Sequence, residues 1–456
     1  MANKAKTITL IGAGLNGPLL AIGLARRGFQ VEMIERRPDM RRVRISAGRS
    51  INLAISTRGI HALSQAGLWQ DMQKLIIPMK GRMIHSLKSE LTLQPYGKNE
   101  TEVINSISRA DLNIALMNAA EAEGVTICFQ QRCTGIDLRT GMFELHDEQN
   151  GTTHSQNSDV VIGCDGSASA IRAEMLKRSR FNFSQQYLDY GYKELTLPAL
   201  AGARHALDTN ALHIWPRGNY MLIALPNVDG TFACILFLPF EGPDSFAQLN
   251  GRADVMGFFQ SRFPDAVPLM PDLADNFFDN PTGAMVTIKC SPWHVDRRAL
   301  LLGDAAHAIV PFFGQGINCG FEDCTCLLQF VDRHGDNWEQ VFSEFEHARK
   351  INTDAIADLA IENFVEMRDR VSDPRFLFRK KVELALESRY PNIFVPKYSM
   401  VTFHRIPYSV ALERGRVQER MLEELCEGIE RVEDLDWTRA SQLIHGSHLS
   451  PLELPS

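Results

Sequence analysis

Residues 7–35 read TITLIGAGLNGPLLAIGLARRGFQVEMIE, and this stretch predicts the first unit of a parallel α/β fold. A short β-rich run, Thr7 to Ile11, leads into a glycine turn between Gly12 and Gly17. An apolar run with helical spacing follows, and a second strand is predicted from Gln30 to Ile34. The acidic residue Glu35 comes directly after that strand. This order of elements predicts a Rossmann-like unit.

Each glycine of the turn has a separate physical task in such a unit. Gly12 permits the tight turn, Gly14 lets the backbone approach a pyrophosphate, and Gly17 lets the helix pack closely on the strand. Free N–H groups at the start of the helix attract phosphates, and Glu35 can accept hydrogen bonds from a ribose. The stretch therefore predicts a dinucleotide site. The alternative is an ordinary βαβ turn without a ligand.

The composition is that of a globular protein, with 456 residues, of which 45% are hydrophobic and 23% charged. This length favours two or three structural units. A formal net charge of -7 argues against a nucleic-acid surface. The nine cysteines include no CxxC pair, which favours reduced thiols and no metal site. No run approaches the ~20 apolar residues of a transmembrane helix, and the first strand starts almost at once. We therefore expect a cytoplasmic protein with no membrane anchor.

Two later segments share one pattern, a buried strand that ends at an aspartate beside a glycine. They are residues 159–166, DVVIGCDG, and residues 299–307, ALLLGDAAH. In doubly wound folds the carboxyl ends of parallel strands form the ligand-binding edge of the sheet. A glycine-punctuated loop, 311–318, follows, and a long helix is predicted from about Gly320. Asp165 and Asp304 at such an edge suit the ribityl chain and polar edge of a flavin.

The middle of the chain has a different character. From about residue 181 to 289, aromatic and β-branched runs predict strands of a mixed or antiparallel sheet, with one helix at about 253–263. Two helices are predicted over 338–371, and the remainder is mostly helical. We expect a flavin-binding domain in two parts at 1–180 and 291–371, an inserted β-sheet substrate domain at 181–290, and a helical C-terminal region at 372–456.

The three motifs, in this order over nearly the whole chain, resemble those of the FAD-dependent aromatic hydroxylases. The resemblance implies an α/β fold in which a Rossmann-like FAD-binding domain carries an inserted mixed β-sheet domain and a helical C-terminal region. It also implies FAD as cofactor, with NADPH and molecular oxygen as co-substrates. In that class the element matching Asp165-Gly166 touches both FAD and NADPH.

Four longer strings resemble one family of that class, the kynurenine 3-monooxygenases. The strings are GRSINLA at 48–54, LHIWP at 212–216, PFFGQGIN at 311–318 and YSMVTF at 398–403. This resemblance implies hydroxylation of L-kynurenine to 3-hydroxy-L-kynurenine through a flavin C4a-hydroperoxide, in tryptophan catabolism. That chemistry requires neither a protein nucleophile nor a metal.

The same resemblance assigns roles to residues of this chain. It implies that the carboxylate and amino group of the substrate are held by Arg82, Tyr96, Asn363 and Tyr398. It implies FAD contacts at Asn16, Glu35, Arg37, Ala54, Arg109, Asp304, Ile317 and Asn318. The cofactor set is completed by the motif residues Gly12, Gly14, Gly17, Asp165 and Gly316, since backbone N–H groups near 316–318 can stabilise negative charge on a flavin.

The residue types are compatible with these roles. A carboxylate needs a cation and hydroxyl donors, which Arg82, Tyr96 and Tyr398 supply. Asn363 and Glu366 lie three residues apart and share a helix face, although a solvated face is the alternative. Thr402 is a further substrate-site candidate. An apolar wall for the aromatic ring is expected from Leu212, Met221, Ile223, Leu225, Phe237 and Phe312. The alternative for any one of these six is plain sheet core.

The sequence leaves alternatives for the role of His307, for the function and for the oligomeric state. His307 follows the Gly303-Asp304 pair, and a structural hydrogen bond is favoured over an acid–base role. The rival functions are hydroxylation of a different aromatic acid, which would need neither Asn363 nor Tyr398, and flavin binding without turnover. The oligomeric state is undetermined, and a homodimer is one alternative.

Overall fold

The computed structural model describes residues 7–43, 52–367, 373–447 and 449–453. Residues 48–51 of the first string, the end of the 338–371 segment and part of the C-terminal tail lie outside these ranges.

The strands are β1 Thr7–Ile11, β2 Gln30–Ile34, β3 Asn52–Ile55, β4 Ile76–Met79, β5 Gly81–His85, β6 Leu91–Pro95, β7 Ile104–Ser108, β8 Thr126–Cys128, β9 Gln131–Asp137, β10 Met142–Asp147, β11 Thr153–Asn157, β12 Val160–Gly163, β13 Asn182–Leu197, β14 Ala211–Pro216, β15 Met221–Pro226, β16 Phe232–Pro239, β17 Gly283–Ser291, β18 His294–Val295 and β19 Ala299–Leu301.

The α-helices are α1 Asn16–Ala25, α2 Thr57–Gln65, α3 Trp69–Met72, α4 Arg109–Ala122, α5 Ala170–Met175, α6 Arg252–Arg262, α7 Leu273–Asp279, α8 Asp304–His307, α9 Gly316–His334, α10 Trp338–Val365, α11 Pro374–Arg389, α12 Lys397–Thr402, α13 Tyr408–Leu425 and α14 Trp437–Gly446. Across the described ranges, no helix combines the length and the apolar character that crossing a membrane requires.

A six-stranded sheet forms the centre of the predicted dinucleotide-binding domain. Its strand order is β18-β19-β12-β1-β2-β8, and all neighbours are parallel except β18 and β19. Ile8 of β1 pairs with Val31 of β2 and with Val160 of β12. Residues 17–24 of α1 are buried in succession, as expected for a helix that is apolar on every side. The predicted parallel arrangement of the three motif-bearing strands is confirmed.

A seven-stranded sheet forms the predicted substrate domain, in the order β17-β13-β16-β15-β14-β5-β6. Every pairing is antiparallel except that of β14 with β5. The prediction of a mixed sheet in this region is confirmed. The sheet nevertheless crosses the expected boundary at residue 180, because β5 and β6 join it from the first segment. Pairing between segments more than 100 residues apart leaves no mark in local sequence.

The helical part of the chain differs from the prediction at two points. A single helix, α10, replaces the two helices predicted over 338–371, because no glycine or proline interrupts the segment up to Val365. The long helix α9 begins at Gly316 and not near Gly320. Its N-terminus therefore lies within the glycine loop itself.

A buried polar network on the sheet fixes β5 beside β14. His85 Nε2 lies 2.9 Å from His213 Nδ1, and His85 Nδ1 lies 2.7 Å from Asp265 Oδ2. The same carboxylate oxygen accepts a 2.9 Å hydrogen bond from Trp215 Nε1. Side chains alternate along a strand, so His85 and Arg82 of β5 lie on opposite faces. The network thus holds the strand that carries Arg82.

The network makes stability dependent on pH. Burial, together with the neighbouring His85, lowers the pKa of His213 from 6.5 to about 4. Between these two values the unfolded chain binds a proton at His213 that the folded chain does not, so acid favours unfolding there. We expect the melting temperature to fall from pH 6.5 to pH 4 more steeply in the wild type than in His213→Gln. Equal slopes in thermal melts of the two proteins would contradict this assignment.

Candidate active site

The glycine turn combines two closely packed glycines with an open one. Gly12 has φ +107°, and a Cβ on it would lie 2.5 Å from the carbonyl oxygen of Cys164. A Cβ on Gly17 would lie 2.2 Å from the carbonyl oxygen of Gly12, whereas a Cβ on Gly14 would meet nothing within 4 Å. The structure thus assigns the tight turn to Gly12 and the close packing to Gly17. Gly14 borders open space, as a residue next to a pyrophosphate must.

Glu35 connects the turn to the end of β2. Its carboxylate accepts hydrogen bonds from Ala13 N–H at 2.9 Å, Arg37 N–H at 2.9 Å and Arg37 Nε at 2.8 Å. Desolvation opposes the charged form, but the hydrogen bonds and charge of Arg37 outweigh it and lower the pKa of Glu35. The Asn113 amide, oriented with its nitrogen toward the turn, donates to Gly14 O at 3.0 Å. A small pocket beside these groups is lined by Ala13, Glu35, Arg37, Met117 and Phe129.

A second part of the predicted flavin site is formed around Asn16 and the Gly303-Asp304 pair. A Cβ on Gly303 or Gly320 would lie 2.1 or 2.4 Å from Asn16 Nδ2, so both glycines are needed to admit this side chain. Asn16 Oδ1 is buried and has no hydrogen-bond partner among the described residues. Desolvation raises the pKa of Asp304, an effect that the charge of Arg109 partly opposes. Asp304 is nonetheless exposed, so its carboxyl group is accessible to a ligand.

Asp165 lies at the end of the neighbouring strand β12. Its Oδ2 accepts a 2.7 Å hydrogen bond from Ala170 N–H at the start of α5, while Oδ1 is buried without a partner among the described residues. Burial raises the pKa of this carboxyl. The Cα of Asp165 would lie 3.0 Å from a Cβ on Gly12, so the Asp165-Gly166 element contacts the glycine turn directly.

The N-terminus of α9 presents free backbone donors. The first intrahelical bond runs from Cys319 N–H to Gln315 O. The N–H groups of Gly316, Ile317 and Asn318 precede it and point out of the helix end, where negative charge is stabilised. The start of α9 within the glycine loop therefore supports the prediction of backbone contacts to a flavin.

The Asn318 side chain has a structural task instead. Oδ1 accepts from Ser56 N–H at 2.9 Å and Gly59 N–H at 3.2 Å, and Nδ2 donates to Ala54 O and Gly314 O, each at 2.8 Å. The side chain is fully buried. All of its bonds fix the loop and Ala54 against the start of α2, so only the backbone of Asn318 is left for a cofactor.

The predicted anion-binding residues lie together. The Arg82 guanidinium carbon is 5.5 Å from the ring centroid of Tyr96 and 5.0 Å from that of Tyr398. The two rings are nearly parallel, with centroids 5.9 Å apart. Burial raises the pKa of both tyrosines, which keeps their hydroxyl groups protonated at neutral pH. A cation and two hydroxyl donors thus come from two distant segments of the chain, the β5–β6 hairpin and α12.

Asn363 is attached to the glycine loop. Its Nδ2 donates a 2.7 Å hydrogen bond to Phe312 O, which leaves Oδ1 as the atom available to accept from a ligand. The Phe312 ring stacks on Phe364 with centroids 4.1 Å apart and lies 4.9 Å from Phe237. The predicted helix face of Asn363 is therefore buried and not solvated.

Glu366 belongs to a cluster of charged groups at the same site. It acts electrostatically on Arg82 and Tyr398, and also on Lys380 of α11. Lys380 Nζ lies 3.0 Å from Glu383 Oε2. Desolvation disfavours the charged ammonium, but Glu383 and Glu366 outweigh it and raise the pKa of Lys380. Sequence reasoning missed Lys380 because its i,i+3 partner Glu383 is local, and nothing in the segment indicates that Glu366 and Arg82 act on it as well.

The six residues expected to form an apolar wall share one hydrophobic cluster. Four are buried and two, Leu212 and Ile223, are partly exposed; the six are Leu212, Met221, Ile223, Leu225, Phe237 and Phe312. Tyr96 and Tyr398 pack against the same cluster. Thr402 is buried one helical turn after Tyr398 in α12. The structure thus places the apolar wall next to the polar residues.

His307 has the structural role that was favoured. Its Nε2 lies 2.6 Å from Asp323 Oδ2, and the ring is buried. Ligand atoms of His307, Cys319 and Asp323 lie within 4.8 Å of one another, a geometry that metals use. Arg349 already provides the positive charge there, because it donates to Asp323 Oδ1 at 2.7 Å and to Cys319 Sγ at 3.3 Å.

Comparison with known proteins supports the class that this geometry indicates. Residues 4–202 and 277–331 match a family model described as an FAD binding domain. A solved structure of 2-methyl-3-hydroxypyridine-5-carboxylic acid oxygenase has a TM-score of 0.67 at 20% identity and covers 82% of this chain and 96% of its own. An FAD complex of Klebsiella pneumoniae HpxO has a TM-score of 0.64 at 17% identity and covers 92% and 98%. The fold and the site define a flavoprotein of the FAD-dependent aromatic hydroxylase class.

Curated relatives narrow the assignment to one family. A kynurenine 3-monooxygenase of Myxococcus xanthus is 55% identical over 98% of this chain and 96% of its own. Proteins of the same name from Xanthomonas oryzae and Flavobacterium johnsoniae are 46% and 45% identical, over 98% and 94% of this chain and 98% and 95% of their own. This chain belongs to the kynurenine 3-monooxygenase family.

Two glycine substitutions separate cofactor binding from folding. Gly14→Val places its side chain in open space, so we expect a folded protein whose FAD affinity falls at least about tenfold, or ~1.4 kcal/mol. Gly17→Val drives its side chain into the Gly12 carbonyl, and we expect it to lower the melting temperature of the apoprotein. Circular dichroism, thermal melts and FAD titration distinguish the two. Unchanged FAD affinity in folded Gly14→Val would show that the turn does not face the pyrophosphate.

Proposed function

We propose that this protein hydroxylates L-kynurenine to 3-hydroxy-L-kynurenine, with FAD as cofactor and NADPH and oxygen as co-substrates, in tryptophan catabolism. The observation that carries the proposal is the Arg82 guanidinium beside the stacked rings of Tyr96 and Tyr398, next to an apolar wall and the loop before α9. The high identity to proteins named kynurenine 3-monooxygenase supports the same substrate. A cytoplasmic location belongs to this proposal.

The charged end of the substrate has complementary partners at the site. L-Kynurenine carries an α-carboxylate and an α-ammonium group, joined through a ketone to an aniline ring. Arg82 and the hydroxyl groups of Tyr96 and Tyr398 bind the carboxylate, because charge-assisted hydrogen bonds to a carboxylate are the strong ones. Asn363 Oδ1 and the Glu366 carboxylate accept from the ammonium group. This division of acceptors and donors favours a zwitterion over a simple aromatic acid.

The aromatic end of the substrate packs on the apolar wall. Phe237 and Phe312 are buried, while Leu212 and Ile223 keep partly exposed surface that a ring can cover. Covering this surface removes water from the ring and fixes the ring's orientation. Orientation and water exclusion are the main contributions a protein makes when a cofactor carries the chemistry.

The residues around the predicted flavin site fit FAD. The open space at Gly14 suits a pyrophosphate. Asn16 Oδ1, which has no partner among the described residues, and the exposed carboxyl group of Asp304 suit a polyhydroxyl chain. Bound FAD supplies hydride acceptance from NADPH and activation of oxygen. The N–H groups at the start of α9 stabilise negative charge on the bound flavin. His307 takes no part, because Asp323 holds its ring nitrogen in a buried bond.

The test is NADPH oxidation by the purified flavoprotein with and without L-kynurenine, with products separated by chromatography. We expect L-kynurenine to stimulate oxidation and 3-hydroxykynurenine to form. Stimulated oxidation that yields only hydrogen peroxide would favour a different aromatic substrate. An absence of stimulation with every aromatic acid tried would favour flavin binding without turnover.

Arg82→Met tests carboxylate recognition. The change keeps an unbranched apolar side chain but removes the charge and its hydrogen bonds, so we expect the binding free energy of L-kynurenine to weaken by at least ~1.5 kcal/mol. FAD content per chain stays unchanged, because Arg82 lies in the seven-stranded sheet, whereas the glycine turn follows a strand of the six-stranded sheet. Titration followed by flavin absorbance gives the dissociation constant. The exposed Lys88→Met in the loop after β5 is the control, and loss of FAD in Arg82→Met would indicate a structural role.

A further inference from the structure

Arg58, at the start of α2, is a buried cation that neither the predicted cofactor site nor the predicted substrate site uses. The residue is 1% exposed. An arginine side chain stays charged in proteins and carries five N–H donors, so its burial requires acceptors on several sides. Its Nε donates to Glu322 Oε1 of α9 at 3.0 Å. The remaining partners come from the far end of the chain.

Those partners are backbone carbonyls at the C-terminal end of α12 and in the segment that follows it. Arg58 Nη1 donates to Val401 O at 2.5 Å and to His404 O at 2.9 Å, and Nη2 donates to Ile406 O. The carbonyl groups at a helix C-terminus attract positive charge. Helix α12 carries Tyr398 and Thr402 of the substrate site. Arg58 thus fixes the helix that covers the substrate site to the domain that binds the flavin.

Tyr408 extends this connection to the glycine loop. The Arg58 guanidinium carbon lies 3.9 Å from the centroid of the Tyr408 ring. The Tyr408 hydroxyl donates to Gln315 Oε1 at 2.9 Å, and Gln315 Nε2 donates to Ser56 Oγ at 3.2 Å. Gln315 directly precedes Gly316, where α9 begins. Each of these side chains is buried, so the chain of contacts excludes water.

The glycine loop and α12 are therefore connected by one set of contacts. These contacts are made by Arg58, Tyr408 and Gln315, which we call the staple. We propose that the staple positions α12 relative to the flavin loop and so determines how much of the NADPH consumed yields hydroxylated substrate. The proposal rests on the proposed function. The three residues are positioning residues, since they touch Tyr398, Thr402 and the loop backbone only through the elements they hold.

The position of α12 then determines how the NADPH consumed is divided between two reactions. In the coupled reaction, substrate, NADPH, H⁺ and O₂ give hydroxylated substrate, NADP⁺ and H₂O. In the uncoupled reaction, NADPH, H⁺ and O₂ give NADP⁺ and H₂O₂. A covering helix that is loosely held admits water to the flavin, and the second reaction then competes with the first.

Tyr408→Phe and Arg58→Lys test the staple in the full-length holoenzyme. Tyr408→Phe removes only the hydroxyl bond to Gln315 and keeps the ring over Arg58. Arg58→Lys keeps the charge and loses the multiple carbonyl bonds. We expect each to lower the ratio of hydroxylated product to NADPH by about two- to tenfold, the range for one lost hydrogen bond, with H₂O₂ rising correspondingly. FAD content stays at the wild-type level.

The matched control is Arg414→Lys in α13. Arg414 is also a buried arginine that donates to backbone carbonyls, Ser450 O at 2.9 Å and Ile393 O at 2.6 Å. It contacts neither α12 nor the loop through these bonds, so we expect its coupling ratio to match the wild type.

Hydrogen exchange provides a readout that does not depend on turnover. We expect faster exchange in peptides covering 397–408 in both staple variants, and not in Arg414→Lys. If both variants keep the wild-type ratio of hydroxylated product to NADPH consumed and the wild-type exchange rates in 397–408, the proposal is overturned, even if their melting temperatures fall. If the wild type forms no hydroxylated kynurenine, the proposed function fails, and exchange in 397–408 alone decides whether the staple holds α12.

Discussion

Parallel pairing of four strands is the constraint on which the site depends. Because β2, β1, β12 and β19 run in one direction, their carboxyl ends meet at one edge of the sheet. Glu35, Asp165 and Asp304 follow three of these ends, although they come from segments far apart in the chain. The close contacts of Gly12 with Cys164 and of Gly17 with Gly12 then bring the backbone of two strand ends and α1 together. A side chain at either glycine would separate the elements that this edge joins.

Charged groups inside the protein are held in pairs and networks. Asp323 is fully buried and lies between His307 at 2.6 Å and Arg349 at 2.7 Å. Arg349 also reaches Glu322, which binds Arg58 in turn. Removing one partner from such a buried pair typically costs about 3–5 kcal/mol, because the other charge is left uncompensated. The network therefore fixes α2, α9 and α10 in one arrangement, and the glycine loop and the C-terminal helices rest on that arrangement.

The predicted substrate site is assembled from segments of the chain that share no local sequence pattern. Arg82 comes from β5, Tyr96 from the residue after β6, Asn363 from α10 and Tyr398 from α12. The position of β5 depends on a parallel pairing with β14 and on the His85–His213–Asp265 network. The predicted substrate site thus depends on contacts between the sheet, the glycine loop and the C-terminal helices together.

The sequence by itself determined the strand–turn–helix units of the FAD-binding domain, because glycine spacing, apolar periodicity and the acid after β2 are local signals with local physical causes. It also determined the mixed sheet, and through resemblance it predicted a set of site residues. Tertiary structure alone decided that β5 and β6 join the substrate sheet, that α10 is a single helix, and that the Asn318 side chain serves the loop and not the cofactor. Tertiary structure alone also revealed that Arg58 binds carbonyl groups more than 300 residues away and that Lys380 lies near Arg82, since packing between distant segments brings these groups together. A local pattern records what a residue can do, and only packing decides which partner it meets.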